Sequence, residues 1–189
     1  MKSGCRPLRA QQYIDALAAK GQYHFDSANA QAALGISAAA AKVALNRLAK
    51  QNLIASAARG FYMIVPPEFR SLGSLPADQF VPELMNRLDL PYYAGLLTAA
   101  EYGGEAHQRP QEFQVFMEKK RRPIICGMVR VRFIVRKRLR DVPVQSFSTP
   151  RGTLLVSTPE ATALDLVGYQ SRGRPRQCCD GSQGTRRAN

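Results

Sequence analysis

Gly35-Ile36-Ser37 stands between two runs of helical apolar spacing and constrains this chain more than any other short stretch. Glycine can take the positive φ of a tight inter-helix turn, Ile36 offers an apolar plug, and Ser37 offers an oxygen to cap the next helix. Upstream, Asp26 or Ser27 is placed to cap a short helix ending at Leu34. Downstream, Ala41, Ala44, Leu45 and Leu48 recur at i, i+3, i+4 and i+7, which predicts a helix over roughly 38–51 with that face buried. Ala39, Lys42, Val43, Asn46 and Arg47 are then turned outward.

The flanking segments complete a pattern. Tyr13, Ile14, Leu17 and Ala18 follow Arg6-Pro7 with helical spacing and stop at Gly21, so a first helix is expected over roughly 7–20. Leu53-Ile54 and Phe61 to Val65 read as strands joined through Ala55 to Gly60, a hairpin with Arg59 at its tip. Three helices and then a hairpin describe a winged helix-turn-helix over residues 6–65. Residues 1–65 carry eight basic and two acidic side chains in a chain of formal charge +13, which favours a polyanion as partner. In this fold the third helix enters the major groove of double-stranded DNA. The candidate DNA-contact residues are therefore Ser37, Ala39, Lys42, Val43, Asn46 and Arg47, with Arg59 on the wing. Asn46 suits adenine and Arg47 suits guanine or phosphate, and so alanine-rich a helix implies modest discrimination. The same element order also serves as a structural or partner-binding domain, and the one-sided charge favours DNA.

Val65-Pro66-Pro67 ends the hairpin, because proline lacks the N–H that a ladder needs. Residues 66–78 read as a linker and 79–170 as a second, α+β domain. Phe80 to Leu88 and Tyr92 to Tyr102 are expected as helices, the latter amphipathic through Tyr93, Leu96, Leu97 and Ala100. Five short segments come next, rich in β-branched and aromatic residues: 113–117, 123–126, 129–136, 142–147 and 153–156. They predict a mainly antiparallel sheet. The fold class is thus α+β, an N-terminal winged helix-turn-helix followed by a mixed helix and antiparallel-sheet domain. Ten basic residues lie between Lys119 and Arg140, and Lys119, Lys120, Arg121, Arg122, Arg130 and Arg132 form a candidate basic patch. A nucleic-acid backbone or an acidic partner would suit it, and a solvated sheet face screened by Glu112, Glu118 and Asp141 is the alternative. Ser157-Thr158-Pro159-Glu160 opens a last helix, with Ser157 or Thr158 as cap and Ala161, Leu164 and Val167 as its apolar side. Residues 171–189 are polar, rich in Gly and Arg, and expected to be disordered.

Several function classes are disfavoured. Cys5, Cys126, Cys178 and Cys179 show no C-x-x-C spacing, and only His24 and His107 could join them, so neither zinc nor any other cofactor is expected. No apolar run reaches the roughly 18–20 residues of a membrane span, and residues 1–20 lack a signal-peptide pattern, so a cytoplasmic protein is expected. Glu101, Glu160 and Asp165 lack the second acid, base or nucleophile of a recognisable motif, and the chain has no P-loop. It reads as a non-enzyme.

Leu34-Gly35-Ile36-Ser37, Leu45-Asn46-Arg47-Leu48 and Arg59-Gly60-Phe61-Tyr62 resemble the N-terminal winged helix of AbiEi-type antitoxins, which are transcriptional regulators. Pro91-Tyr92-Tyr93-Ala94-Gly95-Leu96-Leu97, Ala106-His107-Gln108 and Val156 to Asp165 resemble that family's C-terminal domain, so the likeness spans roughly residues 7–170. The resemblance implies a type IV toxin–antitoxin, or abortive-infection, system. In such a system the winged helix represses its own operon, and the second domain helps counter a nucleotidyltransferase-like toxin, not always by direct contact. Neutralisation of a toxin by a protein-interaction module without DNA binding is the alternative. After Gly168 the family pattern stops. Arg174 to Ala188 can be encoded so that a shifted frame spells an apolar-periodic stretch, which suggests a frameshifted C-terminus and a shortened second domain.

Overall fold

The computed structural model describes residues 9–104 and 111–171. Side-chain oxygens set the first helices. Asp26 Oδ1 accepts from the Asn29 N–H at 2.6 Å and starts α2 (Ser27–Leu34). Gly35, at φ 63°, ends it in the left-handed conformation that glycine adopts without Cβ strain. Ser37 Oγ then accepts from the Ala40 N–H at 3.3 Å and starts α3 (Ala38–Lys50). The first helix, α1, spans Ala10–Ala19, with Gln12 Oε1 accepting from the Arg9 N–H at its start. Between α1 and α2 lies a strand that hydropathy spacing did not suggest, β1 (His24–Asp26), because three residues are too few to display a period. It joins β2 (Ile54–Ala58) and β3 (Phe61–Ile64) in an antiparallel sheet of order β1-β3-β2. Tyr13, Ile14, Phe25, Leu34, Leu45, Leu48 and Ile54 fill the space under the helices, with Ile36 partly buried against them.

The expected linker is part of the core. Residues 66–78 include a 3-10 turn, Pro67–Phe69, and bury Ser74, Leu75 and Ala77. Leu75 lies in one cluster with Ala55, Ala57, Phe61 and Met63 of the first sheet and Phe80, Val81, Leu84 and Met85 of α4 (Ala77–Arg87). The same cluster takes in Val115, Met117, Ile124, Cys126 and Val131 of the second sheet. The inner face of the hairpin thus packs directly on the rest of the chain.

Six strands form that second sheet: β4 (Tyr92–Ala94), β5 (Phe113–Met117), β6 (Ile124–Cys126), β7 (Val129–Val135), β8 (Val144–Thr149) and β9 (Gly152–Ser157). Their order is β6-β7-β5-β4-β9-β8. Three pairings are antiparallel, as expected, but β5 with β7 and β4 with β9 run parallel. The first parallel pair arises because β6 lies outside β7 rather than between β7 and β5. The stretch 92–102, expected as one helix, divides into β4 and α5 (Leu96–Tyr102) at Gly95. A Cβ on Gly95 would sit 2.6 Å from the Phe116 ring, so close packing demands glycine at the break. Tyr93 is buried as its helical spacing implied, but from a strand stacked on Phe116 at 4.9 Å.

The last helix, α6 (Pro159–Ser171), is capped by Thr158, whose Oγ1 accepts from the Ala161 N–H at 3.4 Å. Ser157 instead shares a buried hydrogen bond of 2.7 Å with Thr162. The expected apolar side is corrected in part. Ala161 is buried, but Leu164 and Val167 are 75% and 70% exposed, and Thr162 and Asp165 face inward. An ion pair chooses this face: Asp165 bonds the Arg136 guanidinium and accepts from the Tyr93 hydroxyl at 3.0 Å. Arg6-Pro7, Ala106-His107-Gln108, Cys178-Cys179 and the shifted-frame reading of the C-terminus lie outside the described residues.

Candidate nucleic-acid interface

One side of α3 is fixed inward by Ala41, Leu45 and Leu48, which are at most 5% exposed. With 3.6 residues per turn, that anchoring sends positions 39, 42, 43, 46, 47 and 50 to the opposite side. Ala39, Lys42, Val43, Asn46, Arg47 and Lys50 are all exposed. Val43, Asn46, Arg47 and Lys50 line one shallow open groove together with Ala49. None of Lys42, Arg47, Lys50 and Arg59 has an acidic partner among the described residues. The outward side is therefore an uncompensated cationic stripe, which phosphate could neutralise. Val43, 50% exposed at mid-helix, gives the stripe an apolar contact of the kind a thymine methyl accepts. Ser37 is exposed, but its hydroxyl is engaged in capping α3. Arg59 is exposed at the tip of the β2–β3 hairpin, next to Gly60 at φ 74°. Lys50 was absent from the expected set, although the spacing i+4 from Asn46 and i+3 from Arg47 already pointed to it.

The candidate basic patch does not hold together as a single surface. Arg132 lies 3.8 Å from Glu112 and places its guanidinium over the Tyr169 ring, so it ties β7 to α6. Arg121 stacks over Phe133, 5.5 Å from the ring centroid. Lys119, Lys120, Arg122 and Arg130 are exposed and have no acidic partner among the described residues. Arg130 projects from β7 opposite Ile125 of β6, while the other three precede β6 in a loop.

Tyr93, Arg136 and Asp165 form a largely buried polar group in the second half of the chain. Arg136 also donates to the Tyr93 hydroxyl at 3.0 Å, so the three side chains close on one another. Burial pushes the Tyr93 hydroxyl far above the ordinary tyrosine range, and the Asp165 charge adds to that. Burial alone would weaken protonation of Arg136, but the hydrogen bond to Asp165 and the charges around it leave the guanidinium more firmly protonated than usual. Both Asp165 oxygens and the Tyr93 hydroxyl are engaged within the trio, Arg136 through Nη1, which makes it a strut between β4, the end of β7 and α6. Among the described residues no three His, Cys, Asp or Glu side chains are grouped to hold a metal ion. No helix among them is long and apolar enough to cross a membrane.

The AbiEi antitoxin C-terminal domain is the family whose model matches this chain, over residues 93–179. The match begins at Tyr93 of the strut, includes Arg136 and Asp165, and runs on to Cys179, past Gly168 where the family pattern was expected to stop. No curated protein matches the chain.

Proposed function

We propose, from the match of residues 93–179 to the AbiEi antitoxin C-terminal domain, that this chain is an operator-binding regulator and the antitoxin of a type IV toxin–antitoxin system. In this reading residues 9–65 act as a winged helix-turn-helix on double-stranded DNA. The observation that carries it is the outward stripe of α3, with three unpaired cations around an exposed valine and asparagine on a helix held firmly from behind. Lys42, Lys50 and the hairpin's Arg59 neutralise backbone phosphates. Asn46 offers the paired donor and acceptor that match an adenine edge, and Arg47 reads guanine or binds phosphate. Ala39 leaves room for close approach of the groove floor. The cationic surface draws the protein onto DNA at low salt, and the few base contacts set the register.

The second domain supplies the antitoxin role against a nucleotidyltransferase-like toxin encoded beside it, through the operon or through contact. No residue of the chain is given a catalytic part. The test uses the full chain and the duplex immediately upstream of its own reading frame. Arg47→Ala lowers affinity by about 1–3 kcal/mol and relaxes the sequence preference at one position, whereas Arg59→Ala weakens all duplexes alike and lowers the salt slope by about one. Unchanged affinity of both variants in a gel-shift titration would remove the α3 assignment.

A further inference from the structure

The loop between β5 and β6 reads Glu118-Lys119-Lys120-Arg121-Arg122-Pro123, and the operator-binding reading leaves its cations without a role. Its place is fixed by two independent lines of contact. First, Arg87, the last residue of α4, lies over the Phe61 ring and pairs with Asp26. Its guanidinium would be 3.7 Å from a Cβ on Gly60 at the hairpin tip. The chain turns from Arg87 into β4, whose first residue, Tyr92, is in register with Met117, the last residue of β5. The loop therefore leaves β5 at the end of the sheet that meets the hairpin tip. Second, the Cys126 thiol donates to the Ser56 carbonyl of β2 at 3.6 Å, and Ile124 shares a core with Ala55 and Ala57. The next residue, Gly127, is packed against Leu72 and Gly73, on the chain that leads away from the base of the hairpin. With Cys126 beside the middle of β2 and Gly127 toward that base, β6 begins on the tip side, where the loop enters it.

We propose that Lys119, Lys120 and Arg122 form a second phosphate-contacting element, which extends the DNA footprint beyond α3 and the hairpin tip. Arg121 is set apart because its guanidinium stacks on Phe133 and anchors the loop to β7. The other three are exposed, with no acidic partner among the described residues. Protein interfaces are depleted in lysine and centre on buried apolar anchors, whereas consecutive cations without such an anchor match the regular charge of a duplex backbone. The loop is also held to the hairpin through a common core, so its charges move with the DNA-docking element. The inference rests on the proposed binding of duplex DNA by this chain, and not on which residues of α3 make contact.

The experiment compares wild type, Arg47→Ala and the triple variant Lys119→Gln/Lys120→Gln/Arg122→Gln. Each is titrated by fluorescence anisotropy over a range of salt concentrations. The probes are two random-sequence duplexes, one of about one helical turn and one of about three, with melting curves as the check on folding. On the long duplex the triple variant shows a slope of log K against log salt shallower by about 2–3, since each phosphate contact contributes about 0.9. On the short duplex it matches wild type, while Arg47→Ala weakens both. The proposal is overturned if the folded triple variant keeps the wild-type slope on the long duplex, or loses affinity equally on both lengths. It is likewise overturned if DNA binding is unchanged and only capture of an acidic polypeptide, probed with polyglutamate, is lost. Should Arg47→Ala be without effect on either duplex while the triple variant loses slope on the long one, the α3 assignment fails and the loop assignment stands.

Discussion

At Asp165 the sequence offers a carboxylate on a helix with no catalytic company, and the structure shows what holds it instead. The residue is 8% exposed and tied to Arg136 and Tyr93, which lie 29 and 72 positions away. That separation is why the strut was not legible in the sequence: no local periodicity connects such distant positions. The strut leads to asymmetric consequences. Asp165→Asn keeps a hydrogen-bonding group and should cost about 1.5–3 kcal/mol, the range for a hydrogen bond to a charged group. Arg136→Met leaves a buried carboxylate unpaired and should cost more, about 3–5 kcal/mol. Joining Arg136→Met with Asp165→Leu removes both charges and should recover most of that loss. Urea denaturation of the three variants checks the order, and an Arg136→Met protein as stable as wild type would mean that the trio is not a strut.

Among elements, α2 and α3 could be read from sequence because caps, Gly35 and periodicity agreed, whereas the hairpin was legible only in outline: Ala55 to Ala58, expected as its connection, belong to β2. Where one signal stood alone, the reading failed. Tyr93, Leu96, Leu97 and Ala100 fit a helix on spacing, yet the aromatic pair Tyr92-Tyr93 enters the sheet beside β5 and the chain breaks at Gly95. In α6 the aliphatic side faces outward, because the short side chains of Ala161 and Thr162 and the ion-paired Asp165 fill the space against the sheet. The candidate site on α3 was visible except for Lys50, although the expected helix over 38–51 contained it and its spacing from Asn46 and Arg47 put it on the same side. Structure and binding separate on this helix. Ser37→Ala removes a cap and should cost about 1 kcal/mol of stability. Because it removes no cation, the variant should keep the wild-type salt slope for duplex DNA. Lys50→Ala should melt like wild type and lower that slope by about 0.9 if the lysine meets a phosphate. A Ser37→Ala protein with a changed slope and unchanged melting would reverse the two roles.

The molecule as a whole departs most from a bead-and-linker picture. Pro66 and Pro67 suggested a linker at 66–78, but such residues report flexibility only where the chain has nothing to cover. Here Leu75 and Ala77 roof the inner face of a hairpin whose Ala55, Phe61 and Met63 would otherwise meet water. Met63 and Leu75 are 0% and 1% exposed, so separating the halves would uncover a well-packed apolar layer. Residues 9–65 and 77–171 should therefore unfold together rather than in two steps. Leu75→Ala, which opens a cavity between them, should lower stability by about 2–5 kcal/mol. Hydrogen exchange read by mass spectrometry can separate the cases. In the coupled molecule, amides of α3 and of β9 lose protection in parallel in Leu75→Ala, though neither element contains the substitution. Loss confined to β9, with α3 as protected as before, would mean that the N-terminal helices are stable on their own. A fragment ending at Val65 should, by the same argument, exchange rapidly throughout and regain protection only when residues 66–171 are present.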